Sequence, residues 1–544
     1  MPDGEGTRDS RPTGNGGADS PPLGIWRPRA NPWVIGVVVA LAAFMEVLDT
    51  SIANVALPYM AGSLGATNDQ STWVLTSYLV SNAIILPISG WIAGGVGRKR
   101  FFMICLTIFT ASSVLCGFAP SLTAIILFRV LQGAGGGGLQ PMAQAILADT
   151  FPPEKRGLAF ALYGVTAVIA PTIGPTLGGW ITDNYSWRWI FFINVPVGAM
   201  ALLLVFRLIE DPPWVRRARG AGVRPDYIGI GLLVLGVGAL QVMLDKGQED
   251  DWFGSHFILT LAILASVGLV SLVIWEWFHH SPIIDVHLFK NFNFLGANFM
   301  MFILGIALFS SLVLMPLFLQ TLLGYTAESA GLVLSGGGLL LLVLMPVAGT
   351  LASRVQSRYL IAFGWLTLCI GMIFSTQRLD LEVSFRSASM LRLAQVFGLG
   401  FLFVPINLSS YVGIPPEKFN SVAGLVNFMR NIGSSIGTSM VTTLVARRAQ
   451  VHQTYLVAYT TLGRPAFLQT QKALANRLAV AGLGASRGSD QAYARLYQAV
   501  IGQATTLAYI DVFWVLATMS AIMFLLSFAL RRNDPAAAGA AAAA

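Results

Sequence analysis

The sequence predicts an all-α polytopic membrane protein. Hydrophobic residues make up 55% of the 544 residues and charged residues only 11%, whereas an ordinary soluble domain contains about 25% charged residues. Long apolar stretches recur along the chain, and each has about 18 residues or more, the length that a helix needs to cross a hydrocarbon core of roughly 30 Å. This pattern excludes a soluble globular protein.

Fourteen membrane spans are predicted, separated mostly by short polar loops. They lie near residues 33–58, 70–94, 101–119, 122–148, 157–182, 189–209, 227–245, 256–278, 292–319, 329–352, 359–377, 387–412, 420–445 and 505–530. Residues 1–30 are rich in Gly, Pro, Ser and Asp and lack an apolar core, so they predict a disordered cytoplasmic tail and not a signal peptide. Residues 533–544 form an Ala-rich cytoplasmic tail.

The distribution of basic residues predicts the orientation of these spans. With the N-terminus in the cytoplasm, the loops on the inside contain Arg98, Lys99, Arg100, Lys155, Arg156, Arg216, Arg217, Arg219, Arg224, Lys290, Arg354, Arg358, Lys418, Arg531 and Arg532. The opposite loops contain Asp69, Asp183 and the acidic run at 249–251. Because Lys and Arg accumulate in cytoplasmic loops, both termini are predicted to be cytoplasmic, and the net charge of +8 does not imply nucleic-acid binding.

One basic segment, residues 446–503, falls on the extracytoplasmic side in this orientation. Loops of about this length cross membranes largely regardless of their charge, so the predicted orientation stands. Its Ala, Leu and Gln content predicts that part of the segment is helical. Two interpretations remain open, a docking surface for a partner protein and a plain connecting loop.

The two halves of the chain are related by an internal repeat. The segment 127–132 with Arg129 at its centre matches 390–395 with Arg392 at a shift of 263 residues, and 152–155 matches 415–418 at the same shift. The repeat predicts two six-helix bundles, residues 31–210 and 286–532, separated by a linker and two inserted helices in 211–285. Parallel halves of this kind hold a substrate site between them near the membrane midplane.

Two carboxylates in the first span, Glu46 and Asp49, indicate proton handling. A carboxylate in the hydrocarbon core costs about 2.5 to 3.5 kcal/mol on insertion scales, so its presence requires a function or a partner. A spacing of three residues places both on one face of a helix. We therefore predict a proton-coupled transporter with Asp49 as the coupling residue and Glu46 as a second proton site. A structural ion pair is the alternative.

Recognisable motifs follow one another at 48–58, 90–100, 129–133, 174–179, 187–196, 243–253 and 281–290. Their order resembles that of the fourteen-span drug:proton antiporters of the major facilitator superfamily, in the EmrB/QacA group, and most of all its EmrB-like members. This resemblance covers about residues 33–530. It implies the major facilitator fold and proton-driven export of hydrophobic or amphipathic drugs across the bacterial inner membrane. It also implies a membrane-fusion adaptor and an outer-membrane channel as partners, and no enzyme activity or cofactor beyond the proton gradient.

Two arginines are expected to work with the acids. The resemblance gives Arg129 a role in proton transfer, but its repeat mate Arg392 suggests that both could instead be scaffold residues. The predicted span 292–319 contains no Asp or Glu, and Arg430 corresponds to Ala167, so the acids and Arg430 have no mates in the repeat. Because asymmetric ionisable residues inside a membrane are typical of functional sites, Arg430 is predicted to lie in a central cavity.

Two glycine-rich strings are expected to determine the local geometry of the fifth span and of the loop after the second span. Pro171, Gly174, Pro175, Gly178 and Gly179 in the fifth span predict a bent helix with a flat face for close packing, and in the family this string is typical of exporters. The loop after the second span contains Gly90, Gly97, Arg98, Lys99 and Arg100, which predict a tight turn and an orientation signal. Gly94 stands where the family commonly has an acid, so a charge relay in this loop is in doubt.

Substrate contacts and competing functions remain open in the sequence. The candidates for substrate binding are Asn54, Gln132, Asn298, Gln395 and Asn427. An importer or exporter of one small metabolite would use the same scaffold, and a passive channel or receptor is a third class. The sequence contains no nucleotide-binding or metalloprotease motif, and its three cysteines lie in apolar runs, so neither a primary pump nor a metal site is predicted.

Overall fold

The computed structural model of the chain describes residues 28–213, 226–461, 464–480 and 485–531. In these residues all regular structure is helical, and no strand occurs. The two predicted tails, apart from residues 28–30, lie outside the described part, as do Arg216, Arg217, Arg219, Arg224 and Arg532.

The N-terminal half contains nine helices. They are α1 (Pro32–Leu64), α2 (Asn68–Ser71), α3 (Trp73–Val96), α4 (Arg98–Gly117), α5 (Leu122–Gly136), α6 (Leu139–Thr150), α7 (Pro153–Asn184), α8 (Trp189–Phe192) and α9 (Asn194–Leu208). Asn31 caps α1 by accepting a hydrogen bond from the backbone N–H of Trp33 at 2.9 Å, which satisfies one of the free donors of the first turn.

Two inserted helices, α10 (Tyr227–Lys246) and α11 (His256–Phe278), precede the C-terminal half. The helices of that half are α12 (Phe292–Thr321), α13 (Ala327–Ala352), α14 (Ser357–Arg378), α15 (Phe385–Gly400), α16 (Phe403–Ser410), α17 (Phe419–Val457), α18 (Pro465–Leu478) and α19 (Ala485–Ser527).

Thirteen helical segments of the described chain are long and apolar enough to cross a membrane, and they coincide with thirteen of the predicted spans. The predicted span at 420–445 falls in α17, a 39-residue helix. Its composition is more polar than that of the other spans because it carries Asn420, Asn427, Arg430 and Asn431. Most of its polar side chains are buried or half-buried against neighbouring helices, so this helix can contain them without being strongly apolar itself.

The predicted repeat is visible in the packing of the helices. α1 packs on α7 as α12 packs on α17, and α4 contacts α5 and α9 as α14 contacts α15 and α19. The break between α5 and α6 recurs between α15 and α16. Ser121 caps α5 and Ser384 caps α15, 263 residues later. Cap, break and partner helices therefore share the register that the sequence motifs indicated.

The two halves are in close contact at one end of the helices. We call the end that carries Arg98 and Arg354 the Arg98 end, and the opposite end, with Asp69 and Asp183, the Asp183 end. A Cβ atom on Gly349 of α13 would lie 2.6 Å from the carbonyl oxygen of Gly157 in α7. Because such approach is open only to residues without a side chain, these glycines let the two helices touch at the Arg98 end.

The same end is closed by further contacts between the halves. A Cβ atom on Gly90 of α3 would lie 2.7 Å from the Cα of Ser421 in α17. The ring of Phe160 in α7 stacks on Tyr411 with their centroids 5.5 Å apart. The halves are therefore sealed by backbone and ring packing at the Arg98 end.

The inserted helices bridge both halves at the Asp183 end. Lys246 of α10 is buried and bonds Glu249, Thr72 and the backbone carbonyl of Asp69. Asp245 bonds Thr76 of α3. On the other side, Trp252 Nε1 donates to Thr443 Oγ1 of α17 at 3.0 Å, and Ser435 Oγ donates to Gln241 Oε1 at 3.1 Å.

Candidate functional site

Asp49 of α1 forms a buried ion pair with Arg129 of α5. The Nη1 of Arg129 lies 2.5 Å from Asp49 Oδ2, and the exposed fractions of the two residues are 2% for Asp49 and 0% for Arg129. The other carboxylate oxygen accepts hydrogen bonds from Gln132 Nε2 at 3.0 Å and Asn194 Nδ2 at 2.6 Å. All partners belong to the N-terminal half, so the pair is internal to one bundle.

The further contacts of Arg129 also come from the N-terminal half. Its Nε donates to the carbonyl of Val74 at 3.1 Å and its Nη1 donates to Gln132 Oε1 at 2.9 Å. The guanidinium lies 4.3 Å from the ring centroid of Tyr78 and 5.7 Å from that of Phe191. Ring faces attract cations strongly where water is excluded, so the charge is stabilised by aromatic rings as well as by the carboxylate.

Glu46 lies one turn before Asp49 and has separate partners. Its exposed fraction is 3%, and its Oε1 accepts from Tyr78 Oη at 3.1 Å and Asn82 Nδ2 at 3.0 Å. Its Oε2 accepts from Nε2 of Gln140 in α6. In the described residues Glu46 forms no ion pair within 4 Å, unlike Asp49.

Gln140 connects Glu46 to Arg430 in the other half. The Nη2 of Arg430 in α17 donates to Gln140 Oε1, which also accepts from Tyr163 Oη at 2.9 Å. Arg430 has an exposed fraction of 9% and lies 5.9 Å from the ring centroid of Phe403. A chain of hydrogen bonds therefore runs from a carboxylate in one bundle through an amide to a guanidinium in the other.

Asn427, a predicted substrate-binding residue, joins the same interface one turn away from Arg430. Its Nδ2 donates to Gln144 Oε1 of α6 at 2.9 Å, and its Oδ1 accepts from Tyr163 Oη at 3.2 Å. Every group of this second chain is neutral at ordinary pH. The interface thus contains the charged path through Gln140 and, next to it, an amide–amide bond between Asn427 and Gln144, and Tyr163 contacts both.

The glycine- and proline-rich string at 171–179, which is typical of exporters, packs α7 against α1 beside Asp49. The carbonyl of Pro171 accepts from Ser51 Oγ at 3.2 Å, and a Cβ atom on Gly178 would lie 3.1 Å from Ile52. Gly174 contacts Ser51, whereas Gly179 faces open space. Pro175 lies within the same continuous helix. These residues therefore bring α7 into contact with the turn of α1 that follows the two acids.

The glycine-rich loop joins α3 to α4 at the Arg98 end. Gly97 has a φ of 98°, which glycine adopts freely. Arg98 is buried, forms an ion pair with Asp149 at the end of α6, and donates from Nη2 to the carbonyl of Pro416 at 3.5 Å. Lys99 Nζ donates to the carbonyl of Phe206 at 2.6 Å, and Arg100 is exposed. The loop thus reaches the second half through Arg98.

The C-terminal half has no counterpart of the Asp49 pair among the described residues. Arg392 is buried and donates to Ser311 Oγ at 3.0 Å and Gln395 Oε1 at 3.5 Å. Gln395 Nε2 donates to Ser375 Oγ at 2.9 Å. The buried amide of Asn298 donates to the carbonyl of Phe294 in its own helix, and Asn54 is exposed on α1. The five predicted substrate-binding residues therefore do not line one site.

Sequence reasoning missed several residues that complete the site. Gln140, Tyr163, Asn194 and Asp149 all bond predicted site residues. Asn194 stood within a recognised motif, and its polar side chain inside a membrane span was a usable signal. In the described residues no group of three or more His, Cys, Asp or Glu side chains is arranged to hold a metal ion.

A family model described as Major Facilitator Superfamily matches residues 39–438. The multidrug export protein EmrB of Escherichia coli strain K12 is 36% identical over 497 residues, which cover 91% of this chain and 94% of the relative. The EmrB of Haemophilus influenzae is 40% identical over 78% of this chain and 83% of the relative. The fatty acid resistance protein FarB of Neisseria gonorrhoeae is 38% identical over 81% and 86%.

Solved structures resemble the chain in fold. The proton:xylose symporter XylE bound to 6-bromo-6-deoxy-D-glucose superposes with a TM-score of 0.57 at 15% sequence identity. The superposition covers 93% of this chain and 97% of the symporter. At this identity the likeness concerns the arrangement of the helices and not the substrate.

Proposed function

The chain belongs to the major facilitator superfamily, within its EmrB group, and on this premise we propose that it exports hydrophobic or amphipathic drugs in exchange for protons. Relatives that cover most of its length are named multidrug export proteins. The single observation that supports proton coupling here is the pair of buried carboxylates on α1, one bonded to an arginine within its half and the other linked to an arginine across the interface.

The proposed cycle uses Glu46, Asp49 and Arg129 as proton-coupling residues. A proton that enters from the outside binds a carboxylate while the halves are closed at the Arg98 end. The protonated protein opens inward, releases the proton and accepts the drug, whose export returns it to the closed arrangement. Proton and drug need no covalent chemistry, because each shifts the same equilibrium between two conformations.

Substrate contacts belong to the same proposal. Arg430 and Asn427 lie at the junction of the halves, so their hydrogen bonds are available to a substrate once the halves separate. Gln132, Asn298 and Gln395 are bonded inside one half, and we give them a role in substrate binding only through the helices that they position. Exposed Asn54 on α1 is the remaining candidate for direct contact.

We place the chain in the bacterial inner membrane with the Arg98 end in the cytoplasm. Arg354, Lys418 and Glu154 lie at this end, and Asp69 and Asp183 lie at the other, which fits the enrichment of basic residues on cytoplasmic sides. Both termini are then cytoplasmic. The bundles 31–210 and 286–532 are the proposed rocking units.

Reconstitution into lipid vesicles tests the proposed function. With an imposed inward proton gradient, we expect a panel of lipophilic cations, neutral drugs and fatty acids to move against the proton flow. A single small metabolite as the transported compound would support the specific-metabolite alternative. Movement with the protons would identify an importer, and flux that ignores the gradient would identify a passive channel.

Closure at the Arg98 end gives a prediction for Gly349→Ala. The added Cβ would lie 2.6 Å from the carbonyl oxygen of Gly157, and overpacking of this kind costs about 1 to 3 kcal/mol. The closed conformation should therefore become about 5- to 150-fold less populated, and drug efflux from vesicles should fall. Gly336→Ala on the same helix is the matched control, because no atom lies within 4 Å of its Cβ position. Equal efflux by both variants would contradict the prediction.

A membrane-fusion adaptor and an outer-membrane channel are proposed partners on the strength of the EmrB membership. α17 and α19 have 39 and 43 residues, so each is about 60 Å long at 1.5 Å per residue and extends past a bilayer core of roughly 30 Å. With α18 they form a helical projection at the Asp183 end that carries the exposed rings of Tyr455, Tyr459 and Tyr497. Exposed tyrosines are typical of protein interfaces.

Co-purification tests this partnership. We expect an EmrB-type adaptor expressed with the chain to be retained on it in detergent, and we expect retention to fall when Tyr455, Tyr459 and Tyr497 are replaced together by Ser. Replacement of exposed Tyr227 at the Arg98 end is the control. Undiminished retention by the triple variant would remove the projection as the contact.

A further inference from the structure

Gln140 is a buried amide between two opposite charges on different halves. Resting on the proposed proton-driven export, we propose that Gln140 is the positioning residue that couples the protonation state of Glu46 to closure of the halves at the Arg98 end. Its Nε2 donates to Glu46 Oε2, and its Oε1 accepts from Arg430 Nη2 and Tyr163 Oη. Its exposed fraction is 7%.

The orientation of the Gln140 amide follows from its neighbours. An ionised carboxylate can only accept hydrogen bonds and a guanidinium can only donate them. The NH₂ group must therefore face Glu46 and the carbonyl oxygen must face Arg430. The amide dipole lies between the negative and the positive end, so each charge strengthens the hydrogen bond at the other end of the amide.

Proton binding to Glu46 weakens this link. Hydrogen bonds to an ionised group are roughly twice as strong as those between neutral groups. Protonation also converts one oxygen of Glu46 into a hydrogen-bond donor, so the carboxyl group becomes a poorer acceptor for the NH₂ group of Gln140. Arg430 then loses the distant negative charge that favours its position, and the charged contribution of this link to closure is lost while the neutral bonds around Asn427 remain.

Of the charged and titratable groups around Glu46, Arg430 is the one whose interaction across the interface depends on the charge of Glu46. Tyr78 of α3, Tyr163 of α7 and Arg430 of α17 face it or its amide partner, and Asp49 with Arg129 lies one turn further along α1. Asp49 and Arg129 compensate each other within the N-terminal half. Among these groups, Arg430 is the charge on the opposite half.

The direction of this effect matches the order of events in antiport. A proton bound from the outside loosens the Arg98 end, so the protein opens inward when the proton must be released there. Loss of the proton restores the charged link and favours closure. Proton binding and inward opening are thus connected by one buried side chain that, in this proposal, does not contact the drug.

A pair of spin labels measures the coupling. The labels are placed at Glu154 and Arg354, exposed positions on different halves at the Arg98 end, in full-length protein whose three native cysteines are replaced by serine. Distances between the labels are recorded in lipid nanodiscs at about pH 8.5 and about pH 5.5. In the parent protein the ratio of long to short distances is expected to rise by about tenfold or more at the lower pH.

Gln140→Met keeps the size of the side chain but removes all three of its hydrogen bonds, to Glu46, Arg430 and Tyr163. We expect its distance ratio to change by less than about twofold between the two pH values. Gln144→Met is the matched control, because Gln144 is a buried amide one turn along α6 that bonds across the interface to Asn427 and contacts no charge. Its pH response should persist. Arg430→Gln breaks the same link from the other half and should lose the response.

Each outcome decides between the proposals. A full pH response in Gln140→Met, or in Arg430→Gln should Gln140→Met not fold, overturns the role of Gln140 while leaving proton-driven export intact. Loss of the response in Gln144→Met as well would overturn it too, because any cross-interface amide would then suffice. If the parent protein itself lacks both a pH response and proton-driven efflux, the proposed function has failed instead.

Discussion

Asp49→Asn is expected to reduce proton-driven efflux from reconstituted vesicles strongly. The substitution keeps the shape of the side chain but can no longer exchange a proton with water at ordinary pH. Coupling free energies between two ligands are about 1 to 3 kcal/mol, so efflux under a proton gradient should fall by about 5- to 150-fold. Drug binding in the absence of a gradient should persist, since Asp49 bonds only side chains of its own half among the described residues.

Asp250→Asn is the matched control for this experiment. Asp250 is an exposed carboxylate in the loop between the inserted helices, and its replacement should leave efflux unchanged. Gradient-driven efflux by Asp49→Asn at the parental rate would show that Asp49 does not carry the coupled proton. Glu46→Gln would then be the next variant to measure.

Arg129→Met is expected to lower the free energy of unfolding by about 3 to 5 kcal/mol. The substitution leaves the carboxylate of Asp49 buried at 2% exposure without its counter-charge. Chemical unfolding in detergent micelles measures the effect. Addition of Asp49→Asn to the same protein should recover most of the lost stability, because it removes the uncompensated charge.

Arg392→Met provides the contrast in the other half. Arg392 is equally buried, but its partners are the neutral groups of Ser311 and Gln395. Its removal leaves no buried charge behind, so the loss of stability should be well below that of Arg129→Met. Similar losses at both positions would show that the arginines serve packing alone and that the Asp49 ion pair contributes little.

The sequence was sufficient for the fold because membrane-spanning helices leave a strong signal. Each span needs about 20 apolar residues, and the repeat around Arg129 and Arg392 placed the halves in register. The predicted span at 420–445 fell in a helix, yet α17 differs in kind from the others, since its polar side chains face neighbouring helices. Hydropathy cannot distinguish such a helix from a polar segment outside the membrane.

The sequence predicted those residues of the candidate site that carry a charge inside a membrane span. Glu46, Asp49, Arg129 and Arg430 stood out because charge is costly in hydrocarbon. Gln140 gave a weaker signal, because an amide carries no charge and its role depends on two partners that are 94 and 290 residues away in the chain. Only the packing of α6 against both α1 and α17 brings these partners to one side chain.

The inserted helices also determine how the molecule divides when it moves. The charged side chains of Lys246 and Asp245 bond α2 and the start of α3, whereas Trp252 and Ser435 join the inserted segment to α17 by two neutral hydrogen bonds. Separation of the halves at the Asp183 end must break the weaker set. We therefore expect the two inserted helices to travel with the bundle 31–210 when it rocks against the bundle 286–532, with the hinge after α11 and not before α10.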